Sequence, residues 1–182
     1  MATLISGSTG VNKITDGTVV DADVTDVAAS KLTGTIASAR MPTGSVLQVV
    51  SETAKNYAGT SSGSFVDTGA SATITPSSTS SKILASYDSG LCYQTSAVNF
   101  YAIFTLDRAG TNIGNGNGGF TGDYWHTNAD WNDKGFNVSF SKLDSPSTTS
   151  ATTYKVQFKT DAGTIYHNLE GYGTLTLMEI AG

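Results

Sequence analysis

Tyr154-Lys155-Val156-Gln157-Phe158-Lys159 decides the fold class: a large apolar side chain stands at every second position, with a polar one between. Successive side chains of a strand point to opposite faces, so this period of two sends Tyr154, Val156 and Phe158 to a core and the lysines and Gln157 to water. The pattern recurs on both sides. Asn99 to Asp107 places Phe100, Ala102, Phe104 and Leu106 on one face and Tyr101 and Ile103 on the other. Both faces of that strand are partly apolar, as expected when one covers a core and the other meets a partner. Val46 to Val50, Phe65 to Thr75, Lys82 to Tyr87, the group Phe136, Val138, Phe140 and Leu143, and Leu175 to Ile180 add further strands. Turn signals separate them at Asp67-Thr68-Gly69, Thr75-Pro76-Ser77, Arg108-Ala109-Gly110-Thr111, Asp144-Ser145-Pro146 and Asp161-Ala162-Gly163-Thr164. Seven or eight strands at this spacing predict an all-β, antiparallel β-sandwich or jelly roll over residues 45–182.

Residues 1–44 have different physics. All 8 Tyr, 7 Phe and 2 Trp stand at or after Tyr57, and aromatic residues supply much of the buried area of a small core. The N-terminal stretch is therefore expected not to fold alone. Ile14, Val19, Val24, Val27, Leu32, Ile36 and Met41 recur in it every three to five residues without strict heptads, which excludes a long coiled coil. Asp21 to Ser30 has helical spacing for one short helix. The segment reads as an extended arm that buries its sparse apolar residues on partner chains, or as a disordered arm that orders on assembly.

Composition narrows the function. The chain has 182 residues, 38% hydrophobic and 14% charged, with a net charge of −5 and no cluster of Lys or Arg. Nucleic acid is thus not an expected partner. No apolar run approaches the ~20 residues that span a bilayer, so no membrane partner is expected. Cys92 is the single cysteine and forms no intrachain disulfide; the spacing makes it a small buried strand residue.

The search for chemistry finds little. His126 and His167 are the only histidines, no Gly-x-Ser-x-Gly elbow is present, and one Cys with two distant His does not make a zinc site. No enzyme activity and no cofactor are expected. Asp130-Trp131-Asn132-Asp133-Lys134-Gly135 echoes a calcium loop, but Lys134 stands where an oxygen ligand is required. Asp123 with Asp130 is the one carboxylate pair worth testing for glycan hydrolysis. Phe120 to Phe136 is more informative. It sets Tyr124, Trp125, His126 and Trp131 among Asp130, Asn132 and other polar residues. Such rings either fill a core or an oligomer axis, or stack on the apolar face of a sugar whose hydroxyls the amides and carboxylates bind. Tyr124, Trp125, Trp131, Asp130 and Asn132 are the candidate glycan contacts.

Ile14-Thr15-Asp16-Gly17-Thr18-Val19 followed by Ala29-Ser30-Lys31-Leu32-Thr33-Gly34-Thr35-Ile36 resembles the N-terminal part of tail-fibre and virion structural proteins of tailed bacteriophages. Pro42 to Val50, Ser71 to Leu84, Asp144 to Phe158 and Leu175 to Ile180 are similar to the head domain of such proteins; between Tyr87 and Asn137 only the strand pattern corresponds. The resemblance implies a virion component, a homotrimer with a jelly-roll head of the tumour-necrosis-factor type, and no catalytic residues. It implies that residues 1–44, through Ile14, Val19, Val24, Leu32 and Ile36, attach the chain to other virion proteins, while residues 45–182 project outward and contact the host surface or simply decorate the particle; a host-surface glycan is the partner that the stretch from Tyr124 to Trp131 would fit. A capsid decoration (cement) protein, with the arm lying across the head lattice, is the alternative expectation.

Overall fold

The computed structural model describes residues 34, 36–55, 57–95, 99–125, 134–168 and 172–182; at 39, 117, 121–125 and 134 the description covers the backbone. The anchor residues Ile14, Val19, Val24 and Leu32 and the expected helix Asp21 to Ser30 lie outside the described residues. One compact unit runs from Ala37 to Gly182. Its described regular structure is strand, apart from short 3-10 turns at Ser38–Arg40 and Gly116–Gly118, and every strand pairing is antiparallel.

The strands are β1 (Val46–Ala54), β2 (Ala58–Thr60), β3 (Val66–Ile74), β4 (Lys82–Asp88), β5 (Cys92–Gln94), β6 (Phe100–Arg108), β7 (Thr111–Asn112), β8 (Thr121–Trp125), β9 (Lys134–Phe136), β10 (Ser139–Asp144), β11 (Thr152–Thr160), β12 (Ile165–His167) and β13 (Gly173–Ile180). One sheet is ordered β1-β13-β4-β10 and another β2-β12-β5-β9. These are the same four chain segments in the same order, because β1 runs on into β2, β4 into β5, β9 into β10 and β12 into β13. They form one four-stranded layer whose strands all break at one level, between the Ala54↔Gly173 and Ala58↔His167 pairs. The second layer is β3-β11-β6, with β7 and β8 successively on the free side of β6. Pairing is nested along the chain: β1/β2 with β13/β12, β3 with β11, β4/β5 with β10/β9, and β6 with β7/β8.

The two layers share one core, an arrangement consistent with the expected β-sandwich. Ile83, Ala85, Tyr87, Leu175 and Leu177 from the first layer meet Ile74, Phe100, Phe104, Leu106, Tyr154, Val156 and Phe158 from the second. The period of two in β11 holds without exception, buried and half-buried residues alternating from Thr152 to Thr160. Asp144 on β10 binds the layers together at one margin. It accepts from Arg108 Nη1 of β6 through both oxygens, each at 2.8 Å, and from the Tyr154 hydroxyl of β11 at 2.7 Å.

Two details differ from the sequence expectation. Asp67-Thr68-Gly69 does not end a strand. It lies inside β3, where the register against β11 shifts between Lys155 and Gln157. Gly69 takes a φ of 90° there and Thr68 Oγ1 donates to the Val156 carbonyl at 2.8 Å, so the turn chemistry makes a β-bulge. The short strands β2, β5 and β12 lack an alternation long enough to read, and they appear only because the layer resumes pairing beyond its break.

Candidate functional site

Of the candidate glycan contacts, Tyr124 and Trp125 fall on β8, their backbones paired with Tyr101 and Phe100; Asp130, Trp131 and Asn132 lie outside the described residues. Asp123 is paired with Ala102, and Asp130, its proposed carboxylate partner, is outside the described residues, as is His126. Ile36 is described and is 60% exposed. Among the described residues no three His, Cys, Asp or Glu side chains converge as metal ligands.

The break in the first layer gathers one group of buried polar side chains. The Tyr87 hydroxyl and His167 Nε2 are hydrogen-bonded, and both residues are fully buried. Burial pushes the Tyr87 phenol up and lowers the His167 imidazole to about 4. His167 is buried neutral, its Nε2 shares the hydrogen bond with the Tyr87 hydroxyl, and its Nδ1 has no hydrogen-bond partner among the described residues. Asn168 follows, its Nδ2 donating to the Ala54 carbonyl at 2.8 Å and its Oδ1 accepting from the Gly90 N–H at 3.2 Å. Gly173 is glycine because a Cβ there would stand 2.7 Å from the Tyr87 hydroxyl oxygen and 3.2 Å from His167 Nε2. Cys92 is buried as expected, its thiol raised to about 11 by burial. These groups are closed to solvent, and a thiol so raised is not a nucleophile at neutral pH. They hold the break together.

A recess of about 360 Å3 lies at the other end of the layer, lined by Ser38, Met41, Leu47, Ser77, Ser78 and Ser81 among others. Four of its five serine hydroxyls are committed. Ser77 and Ser81 donate to the buried Glu179 carboxylate, each at 2.7 Å, and Ser78 bonds Ser80 at 2.9 Å. No converging set of free donors is left for a ligand.

The outward face of the first layer is different. Register places Val49, Met178, Leu84 and Leu143 in one row across all four strands, with Val46 and Ile180 paired in the next row. Val46, Val49 and Leu143 are 50%, 55% and 51% exposed. The neighbouring rows, Ser51-Thr176-Ser86-Ser141 and Thr53-Thr174-Asp88-Ser139, are polar. The apolar residues thus form a continuous band, the kind of patch that marks an interface. Tyr101 and Ile103 do lie together on the outward side of β6, as their alternation requires, but the adjoining β3–β11 surface is polar, carrying the Lys155–Asp67 ion pair at 2.8 Å and the Thr73–Thr153 hydroxyl pair.

Beyond the break the same face becomes tyrosine-rich. Tyr166 and Tyr93 are paired across β12 and β5, and Gly59 and Gly135 flank them on the outer strands. The Tyr166 ring lies over Gly59, where a Cβ would stand 2.6 Å from its Cε1. Tyr57 stacks on Tyr166 with ring centroids 5.1 Å apart and planes 8° from parallel, and it remains 55% exposed. Desolvation and the adjacent Tyr166 raise its phenol pKa. Lys55 Nζ stands 5.3 Å from the centroid of the exposed Tyr172 ring. The sequence pattern misses the Tyr57–Tyr166 pair, since the two residues are far apart in the chain and only strand pairing brings them together.

No family model matches the chain, and no curated protein matches it.

Proposed function

We propose that the chain is a structural protein of a bacteriophage virion, a homotrimeric fibre or spike. In this reading the N-terminal arm attaches to other virion proteins and the β head projects toward the host surface. The observation that carries the proposal is the band Val46, Val49, Leu84, Leu143, Met178 and Ile180. A secluded monomer has no reason to hold six apolar side chains contiguous on an outward sheet face, whereas a self-associating head buries them. The nested strand pairing supports a jelly-roll head, since first-with-last pairing through four successive levels is what rolling a long hairpin into two layers produces. The resemblance of Ile14 to Ile36 and of the Ser71–Leu84 and Leu175–Ile180 segments to phage fibre proteins supplies the virion assignment. Chemistry is not part of the reading, because the buried His167, Cys92 and Glu179 side chains are closed to solvent.

Light scattering on the full-length protein and on residues 45–182 tests the oligomer. Three times the 18.8 kDa chain mass for the full-length form, with a trimer retained in the shorter one, supports a head-borne trimer with a separate anchor. Monomers in both forms remove the trimeric spike. The second reading, a capsid decoration protein, is separated from the first by copy number in purified particles: hundreds for a lattice protein, tens at most for a fibre.

A further inference from the structure

We propose that the stacked Tyr57–Tyr166 pair is a carbohydrate platform, on which the exposed ring of Tyr57 receives the apolar face of a neutral pyranose. This deepens the host-contact part of the proposed function and takes its biological meaning from it, although the geometry is independent of the oligomer.

The pair is preorganised. Tyr166 projects outward from β12, between two pairing strands, and its ring is seated over Gly59, the one residue type that leaves room for it. Tyr57 lies parallel to that ring in an offset stack and is 55% exposed. An aromatic face is electronegative at its centre. The axial C–H bonds on one side of a pyranose are weakly electropositive and need a flat, negative, desolvatable partner. Two tyrosines fix that surface with little rotamer entropy to lose, since each has two χ angles. The hydroxyls round the sugar then find phenol groups, which both donate and accept.

Other occupants fit less well. Stacked bases of single-stranded nucleic acid require a cationic track for the phosphates, and the chain carries −5 overall with Lys55 as the described cation near the rings. A protein partner anchors in desolvated pockets, whereas the rings here stand proud of a sheet. The platform also lies beyond the break, apart from the apolar band, so a glycan and a second copy of the chain do not compete.

The test uses the full-length chain with 13C-labelled tyrosine rings, titrated to millimolar concentration with cellohexaose, maltohexaose, mannohexaose and chitohexaose. Saturable shifts of the Tyr57 and Tyr166 signals are expected with at least one. Tyr57→Ala is expected to weaken that binding by about tenfold or more, and Tyr57→Phe to keep it, because the ring and not the hydroxyl does the stacking. No shift of Tyr57 with any of the four sugars, or equal binding by Tyr57→Ala, overturns the inference. Light scattering of the same samples keeps the two proposals apart: a monomer whose Tyr57 still shifts removes the trimer and leaves the platform, and a trimer without shifts does the reverse.

Discussion

Asn168 and Ala54 are joined by a 2.8 Å hydrogen bond, amide to carbonyl, across the level where the strands of one layer are interrupted. The other end of the same amide accepts from Gly90, and Asn168 itself has a φ of 57°, the left-handed region that asparagine tolerates better than most residues. Asn168→Ala strands a carbonyl and an N–H in the buried break and forces alanine into that conformation. The expected loss is about 3 kcal/mol or more in urea unfolding. Asn168→Gly loses the same bonds without the strain and is expected to lose about 1 kcal/mol less. Equal losses would show that the backbone conformation contributes nothing.

His167 makes stability fall with acid well above the carboxylate range. It is buried neutral, with a folded pKa of about 4 against an ordinary 6.5, so the unfolded chain binds the proton first. Its contribution is fully present above pH 6.5 and declines as the pH falls from 6.5 to 4, by about 3 kcal/mol in total. Thermal melts across that window measure the slope. His167→Phe is expected to flatten it, although the variant leaves the Tyr87 hydroxyl without its hydrogen-bond partner and starts from a lower stability. An unchanged slope would assign the effect to another group.

Glu179 is a fully buried carboxylate held by neutral donors. Its Oε1 accepts from the Ser77 N–H, the Ser77 hydroxyl and the Ser81 hydroxyl, each at 2.7 Å, and its Oε2 accepts from Gln48 Nε2 at 2.6 Å. Burial raises its pKa, and the hydrogen bonds together lower it further, so the net shift is below the ordinary 4.5. Its contribution is therefore present above pH 4.5 and is lost as the pH falls through the folded value. Glu179→Gln points an N–H2 group at donors and is expected to cost about 2 kcal/mol or more at neutral pH. Chemical denaturation at pH 7 and again below pH 4 should show the difference from wild type shrinking in acid.

The apolar band predicts a separation of assembly from stability. Val49 and Leu143 are half exposed in the single chain, so Val49→Lys and Leu143→Lys are expected to change unfolding free energy by about 0.5 kcal/mol or less in the monomer. The same changes put unpaired charges into a self-associated face and should reduce the light-scattering mass to that of one chain. Full-mass particles from both variants would exclude this band as the interface.

The long strands were legible because their alternation is uninterrupted. Tyr154, Val156 and Phe158, and Phe100, Ala102, Phe104 and Leu106, all face the core that their spacing assigns them. Leu143 shows where pattern reading stops. It was grouped with Phe136, Val138 and Phe140, but it stands at odd spacing from them and points to the outer face, half exposed. Its role appears only when Leu84, Met178 and Val49 line up beside it. The tyrosine cluster was illegible for the same reason: nothing local to Tyr57 announces Tyr166, and cross-strand register is a property of pairing, not of either segment. The rings of the Phe120–Phe136 stretch are adjacent in sequence, the one kind of proximity that can be read without a fold.

The shared break in the first layer has an evolutionary consequence. A one-residue slip in a continuous strand inverts every side chain beyond it, so a sheet face ordinarily changes as a whole or not at all. Here each strand ends its pairing at Ala54, Asp88, Ser139 and Gly173 and starts again a few residues on. Insertions or deletions past that line disturb about three residues per strand and leave the longer segments in phase. The end that bears the tyrosines can therefore change in length and sequence while the half that bears the apolar band keeps its register, so one layer carries two surfaces free to vary independently.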